Sequence, residues 1–200
     1  MCRFIETIRV IDGVVMALPY HQSRVDRTLQ SEGEPGASLC LLDVLSDFPS
    51  LGGEYKARIV YDTFGRVTDQ GCSPYTVRPV ASMQLVEDNT VDYRFKREDR
   101  SSLLRLSAQK GSADEVIIVR RGLLTDTSYS NIALFDGERW FTPKSPLLNG
   151  TMRSRLLDEG KLVEADLAVA DLSRFSKVSL INAMMPLGRC VVDVAHIRML

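Results

Sequence analysis

Along the middle of the chain run Glu115-Val-Ile-Ile-Val119, Arg121-Gly122, Leu123-Leu-Thr-Asp126-Thr-Ser-Tyr-Ser-Asn131 and Ile132-Ala-Leu-Phe135. They are followed by Asp136-Gly137, Trp140-Phe-Thr-Pro143 and Leu147-Leu-Asn-Gly-Thr-Met-Arg153. Each apolar run is closed by a glycine-bearing turn, the pattern of two β-hairpins in succession. Gly150 then opens a helix expected over Met152–Gly160. Asp126 is a single carboxylate inside otherwise neutral sequence.

Upstream, Phe4-Ile-Glu-Thr-Ile-Arg-Val-Ile11 alternates as a strand does, and Asp12-Gly13 is a hairpin turn that returns Val14–Leu18 antiparallel. Pro19 suits the first turn of a helix, where its missing N–H costs nothing. On that helix His21, Arg24 and Val25 share a face. A second helix is expected over Ala37–Phe48, with Leu39, Leu42, Val44 and Leu45 as its apolar stripe. Tyr55–Asp62 and Arg66–Asp69 read as a further hairpin turned at Phe64-Gly65, and Val77–Leu85 as extended chain with Pro79 at an edge. The polar run 86–90 reads as a linker between a small α+β domain (1–85) and a larger one (91–200). In the latter, Arg100–Lys110 has helical periodicity through Leu103, Leu104, Leu106 and Ala108.

Composition narrows the chemistry. With 200 residues, 44% of them hydrophobic, the chain can bury a proper core. A net charge of -1 gives no reason to expect nucleic acid, and runs such as Arg120-Arg121 are balanced by nearby acids. The start Met1-Cys-Arg-Phe-Ile-Glu is too charged for a secretory leader. No apolar run approaches the ~18 residues of a membrane span. A cytoplasmic protein is therefore expected, and the Asn149-Gly150-Thr151 sequon carries no weight. Cys2, Cys40, Cys72 and Cys190 lie far apart, without metal or dithiol spacing, and read as reduced. With only His21 and His196, neither a histidine-rich metal site nor a Ser-His-Asp arrangement stands out, and no metal is expected. No Gly-x-Gly-x-x-Gly or phosphate-loop signature occurs.

An isolated acid followed by a glycine-opened helix can hold a phosphorylated ligand with a ring nitrogen. Lys96, just before the Arg100–Lys110 helix, would be an ordinary surface lysine but for the segments downstream of it. Taken together, Lys96 with Arg100, Gly122-Leu-Leu-Thr-Asp-Thr-Ser-Tyr-Ser-Asn131, Leu148-Asn-Gly-Thr-Met-Arg153 and Ile181-Asn-Ala-Met-Met-Pro186 resemble the class IV aminotransferases. These are the fold-type IV pyridoxal-phosphate enzymes, which include D-amino-acid and branched-chain aminotransferases and 4-amino-4-deoxychorismate lyase. The resemblance covers nearly the whole chain. It implies a two-domain α+β fold with a shortened N-terminal domain, since the family's usual leading hairpin has no counterpart before Phe4.

The resemblance also implies roles. Lys96 matches the lysine that bonds covalently to pyridoxal 5'-phosphate, a task suited to a partly desolvated amine that then moves protons. Asp126 stands where the family has a glutamate that keeps the pyridine nitrogen protonated; it is one methylene shorter. Gly150, Thr151 and Met152 would offer helix-start amides to the phosphate, mainly through backbone because Met152 has no hydroxyl. Arg24 matches the family's phosphate arginine. Asn182 and Ala183 resemble a second phosphate-side loop, and Asn131 would shape the turn beneath the ring. Glu6 matches a recurrent acid near the site, and Arg58, one of two cations on a strand face, could meet a substrate carboxylate.

Within the family, Asn182-Ala-Met-Met-Pro186 and Met152 look most like 4-amino-4-deoxychorismate lyase, which expels pyruvate and leaves 4-aminobenzoate. An aminotransferase acting on branched-chain or D-amino acids would use the same Lys96 and Asp126. A catalytically silent cofactor-binding relative is the third reading, against which retention of both residues speaks. The resemblance further implies a homodimer taking a small amino substrate.

Overall fold

The computed structural model describes residues 2–46 and 52–199. The chain divides into two compact units, Met1–Thr76 with Phe95–Asp99, and Val77–Arg94 with Arg100–Leu200.

The first unit contains β1 (Arg3–Ile11), β2 (Val14–Val15), α1 (Leu18–Glu32), α2 (Leu41–Ser46), β3 (Glu54–Asp62) and β4 (Val67–Pro74). Its antiparallel sheet has the order β2-β1-β3-β4. Asp12 and Gly13 both take positive φ, 47° and 79°, which is what a two-residue hairpin turn of matching twist demands. The returning strand is shorter than expected because Leu18 already belongs to α1, whose first turn carries the proline. Period-two alternation on β1 turns Phe4, Ile8 and Val10 onto α1, where Val25 and Leu29 meet them. Leu41, Leu45, Ala57, Ile59 and Tyr61 complete this core. The second helix is observed over Leu41–Ser46, and Phe48, its expected end, lies outside the described residues.

Residues 95–99 complete β1 along the edge that short β2 leaves open. The Ile5 amide donates to the Lys96 carbonyl (2.9 Å), and the Glu98 amide to the Arg3 carbonyl (2.9 Å).

The second unit contains β5 (Met83–Glu87), α3 (Ser101–Ser107), β6 (Glu115–Arg120), β7 (Leu123–Leu124), β8 (Asn131–Phe135), β9 (Trp140–Pro143), α4 (Thr151–Asp158), β10 (Val163–Ala165), β11 (Lys177–Ile181), β12 (Val191–Asp193) and β13 (Ile197–Arg198). They form two sheets, β13-β5-β6-β7 and β10-β9-β8-β11-β12. Strand β6 pairs parallel with β5 and is buried on both faces, which accounts for its unbroken apolar run. Ile117 and Val119 join Leu85, Ile132, Leu134, Val178 and Leu180 in a core shared by both sheets. Val116 and Ile118 pack on the other side with Leu103 and Leu106 of α3.

The division between units falls at Thr76/Val77 rather than at 86–90. Val86 and Glu87 are the last residues of β5, paired with Ile118 and Val119. The polarity beyond them belongs to a turn: the Asp88 side chain accepts from the amides of Thr90 and Val91. All four cysteines are free, and no helix among the described residues is long and apolar enough to cross a membrane.

Candidate active site

Glu6, Arg24, Arg58 and Lys96 lie in the first unit. Glu6 occupies the same inward face of β1 as Phe4, Ile8 and Val10, so a carboxylate stands in an apolar row and has to be paired. Helix α1 answers it one and two turns in. Arg24 donates from Nε to Oε1 (2.7 Å) and from Nη2 to Oε2 (2.6 Å), a fork matched to a carboxylate. His21 Nδ1 lies 2.6 Å from Oε2. Burial pushes the Glu6 carboxyl up, but the Arg24 charge and the hydrogen bonds from His21 and Arg24 outweigh it and hold the pKa at about 2. Burial, with the charges of Arg24 and Lys96, pulls His21 below its usual value against the opposing pull of Glu6. A neutral imidazole donating from Nδ1 to Glu6 satisfies both groups.

Glu6 is 0% exposed and both its oxygens are taken by side chains of its own unit. Here the acid orients Arg24 and His21. Arg58 is likewise engaged, by Asp69 and by Glu98 (2.8 Å), and Arg3 holds the other oxygen of Glu98 (2.7 Å). Two arginines therefore anchor the chain two residues beyond Lys96, and Lys96 itself is half-buried. Glu98 was missed in the sequence because nothing local reveals its cross-strand partners.

The remaining residues, Asp126, Asn131, Gly150, Thr151, Met152, Asn182 and Ala183, lie in the second unit. Asp126 and Asn131 close a tight turn. The Thr127 amide donates to the Ser130 carbonyl (2.8 Å), and Thr127 Oγ1 accepts from the amides of Tyr129 and Ser130. Arg100 donates to the Ser128 carbonyl (2.8 Å) and so steadies the same turn. Asp126 Oδ1 accepts from Asn131 Nδ2 (2.8 Å), and Oδ2 from the Leu148 amide (2.9 Å). Burial raises Asp126 to about 7, against the lowering effects of Asn131, the Leu148 amide, the Arg153 charge and the Leu147 amide. Two hydrogen-bond donors, both neutral, on a carboxylate with about four acceptor positions leave room for a further N–H.

Helix α4 begins at Thr151 behind Gly150, with no side-chain cap and no acid in its first turn. Its first helical bond runs from the Ser154 amide to the Gly150 carbonyl, so the earlier amides have no partner within the helix. The Met152 side chain enters the core with Ala133, Leu156, Leu162 and Ile181, leaving its backbone to do any anion binding. Asn182 closes its own turn by accepting from the amides of Met184 (2.9 Å) and Met185 (3.0 Å), and reaches the Tyr129 carbonyl (3.4 Å). Ala183 sits half-buried in that turn. Arg153, not foreseen as part of the site, is 3% exposed and donates to the Pro143 carbonyl, Glu164 and Asn149. A buried, uncapped helix start and an acid with acceptor capacity left are donors and acceptors of the kind that a phosphate and a pyridine nitrogen need.

Residues 67–193 match the model of the amino-transferase class IV family. An uncharacterized protein of Haemophilus influenzae is 32% identical over 180 residues, 90% of this chain and 96% of that protein. A Haemophilus somnus protein of known structure, proposed to be a 4-amino-4-deoxychorismate lyase, is 30% identical, with a TM-score of 0.86 over 94% of this chain and 98% of its own. The PLP-bound form of a hypothetical aminotransferase from Mycobacterium tuberculosis shares the fold at 20% identity, with a TM-score of 0.73 over 94% of this chain and 80% of its own. The match spans both hairpins, the turn of Asp126, the start of α4 and the Asn182 turn, and it makes this chain a member of the class IV aminotransferase family.

Proposed function

We propose that the chain is a pyridoxal 5'-phosphate enzyme acting as a 4-amino-4-deoxychorismate lyase. The observation that carries the cofactor reading is Asp126, a buried acid with neutral hydrogen-bond donors only and acceptor capacity to spare. Poised at about 7, it is drawn fully to its charged form by a cationic ring N–H. Lys96 is the residue that bonds to the cofactor. The amides at the start of α4, the Asn182-Ala183 turn and the guanidinium of Arg24, oriented by Glu6, take the phosphate.

When bound, the cofactor supplies the electron sink for carbon acids. The chain's residues do the rest. Asp126 holds the proton on the ring nitrogen. Lys96 takes the proton from the substrate ring carbon that bears the amino group. It returns that proton to the departing three-carbon unit, which leaves as pyruvate while the ring becomes 4-aminobenzoate. The lyase is preferred to the aminotransferase on two grounds: the similarity to the Haemophilus somnus protein, and the segment Asn182-Ala-Met-Met-Pro186.

Purified protein reconstituted with pyridoxal phosphate should absorb in the near visible, and borohydride should fix the cofactor on Lys96 by peptide mass. Equimolar pyruvate and 4-aminobenzoate from aminodeoxychorismate are the expected products. Lys96→Ala should lower that turnover on the order of 10²–10⁴-fold. Keto acid from D- or branched-chain amino acids, without 4-aminobenzoate, would favour the aminotransferase. Uptake of cofactor with neither reaction would mark a silent relative. Protein that stays colourless rejects the cofactor reading altogether.

A further inference from the structure

We propose that Asn131 is a positioning residue, not a cofactor contact: its carboxamide ties the acid Asp126 to the start of helix α4, so that the two ends of the site are set together. The inference rests on the assignment of Asp126 and α4 to the ring nitrogen and the phosphate.

Asn131 is 5% exposed and its Nδ2 is fully used, donating to Asp126 Oδ1 (2.8 Å) and to the Leu148 carbonyl (2.8 Å). The Leu148 amide returns to Asp126 Oδ2 (2.9 Å), so both oxygens of the acid are fixed by a closed ring of three residues. The other side of the same carboxamide faces Gly150. A β-carbon added at Gly150 would stand 2.0 Å from Asn131 Oδ1. Gly150 has φ −72° and ψ 147°, a conformation open to any residue, so backbone strain does not require glycine there. The carboxamide oxygen does. Asn131 thus fixes the plane of the Asp126 carboxyl with its nitrogen and the approach of the α4 N-terminus with its oxygen.

The coupling is tested on cofactor-free protein by equilibrium binding of pyridoxal phosphate and of pyridoxal, which lacks the phosphate. Gly150→Ala should weaken pyridoxal about tenfold, because the added methyl pushes the carboxamide off Asp126. If Gly150 serves the phosphate alone, pyridoxal affinity stays at the wild-type value, and the coupling is refuted. Asn131→Asp keeps the shape of the side chain but donates only while it carries a proton. Its single O–H can replace only one of the two N–H donors, so it should bind pyridoxal more weakly than wild type throughout, and the deficit should grow about tenfold between pH 5.5 and pH 8.5. A pH profile that overlays the wild type refutes the donor role. Asn131→Leu should lose affinity for both ligands across the range; should it fail to fold, the other two variants carry the test. Wild-type protein that takes up neither ligand fails on the cofactor reading, and the inference falls with it. Normal wild-type uptake with unaffected variants sinks the inference alone.

Discussion

Glu6 and Asp126 are both buried acids, yet they are pushed in opposite directions, to about 2 and to about 7. Burial penalises the charge of each. Glu6 meets a guanidinium fork and an imidazole, which overcome the penalty. Asp126 meets side-chain and backbone amides, with Arg153 as a weaker positive influence, and these fall short. Desolvation is common to the two sites, so the charge of the donors decides the outcome. In the first arrangement the acid already has its positive partner. The second is a carboxylate still short of a positive partner, as expected of a group that waits for a ligand cation.

The sharpest way to break this contrast is Glu6→Gln, which leaves Arg24 buried without its counter-charge. A loss of about 3–5 kcal/mol in urea-unfolding free energy is expected. Much of it should return in Glu6→Gln combined with Arg24→Met, since removing both charges also removes the burial penalty. If the single variant unfolds like the wild type, Glu6 is not the partner that Arg24 depends on.

The next effect separates the two acids by pH. Glu6 has a depressed pKa, so its contribution is present above about 4.5 and is lost as pH falls from there toward about 2. Asp126 has a raised pKa, so the cofactor-free fold binds its proton more tightly than the unfolded chain does. Its stabilisation is complete below about 3.8 and is lost as pH rises through about 7. That loss is on the order of 4 kcal/mol. In Asp126→Asn the component between pH 4 and 7 should vanish from chemical denaturation curves, while the acid limb due to Glu6 remains. An Asp126→Asn curve that keeps the wild-type shape from pH 4 to 7 would contradict the raised pKa, since the depressed His21, whose own slope in that window is opposite, is common to both proteins. Pyridoxal phosphate should flatten the wild-type curve too, if its ring cation is what Asp126 awaits.

The smallest effect concerns the exposed charges beside the lysine segment. Arg58→Ala removes partners of Asp69 and Glu98 at a half-exposed position, and should cost under about 1 kcal/mol by thermal melting. A several-fold larger loss would mean that the Arg3–Glu98–Arg58 cluster resembles the Glu6 site more than its exposure suggests.

Local pattern disclosed a good deal of this molecule. The Asp12-Gly13 turn, the helix opened by Pro19, the hairpin of β8 and β9, and the helix behind Gly150 all rest on neighbouring residues, and periodicity or turn chemistry exposes them. The domain boundary was harder to read, because a polar turn after β5 has the composition of a linker while its strand is bonded within a sheet. Glu6 was visible as an acid on an alternating strand, and His21 with Arg24 as one helix face. Their meeting depends on how α1 packs on that strand, which no local spacing encodes. The Asn131–Gly150 contact and the tie of Glu98 to Arg3 and Arg58 are also products of long-range folding.

The segment bearing Lys96 belongs to the first unit although the chain on both sides of it belongs to the second. No single cut can therefore yield the first unit intact. A fragment ending at Thr76 would leave the Ile5 amide and the Arg3 carbonyl of β1 without their partners on 95–99. That raw strand edge is a template for sticking to other copies, so such a fragment should precipitate unless residues 95–99 are supplied as a tethered or added peptide.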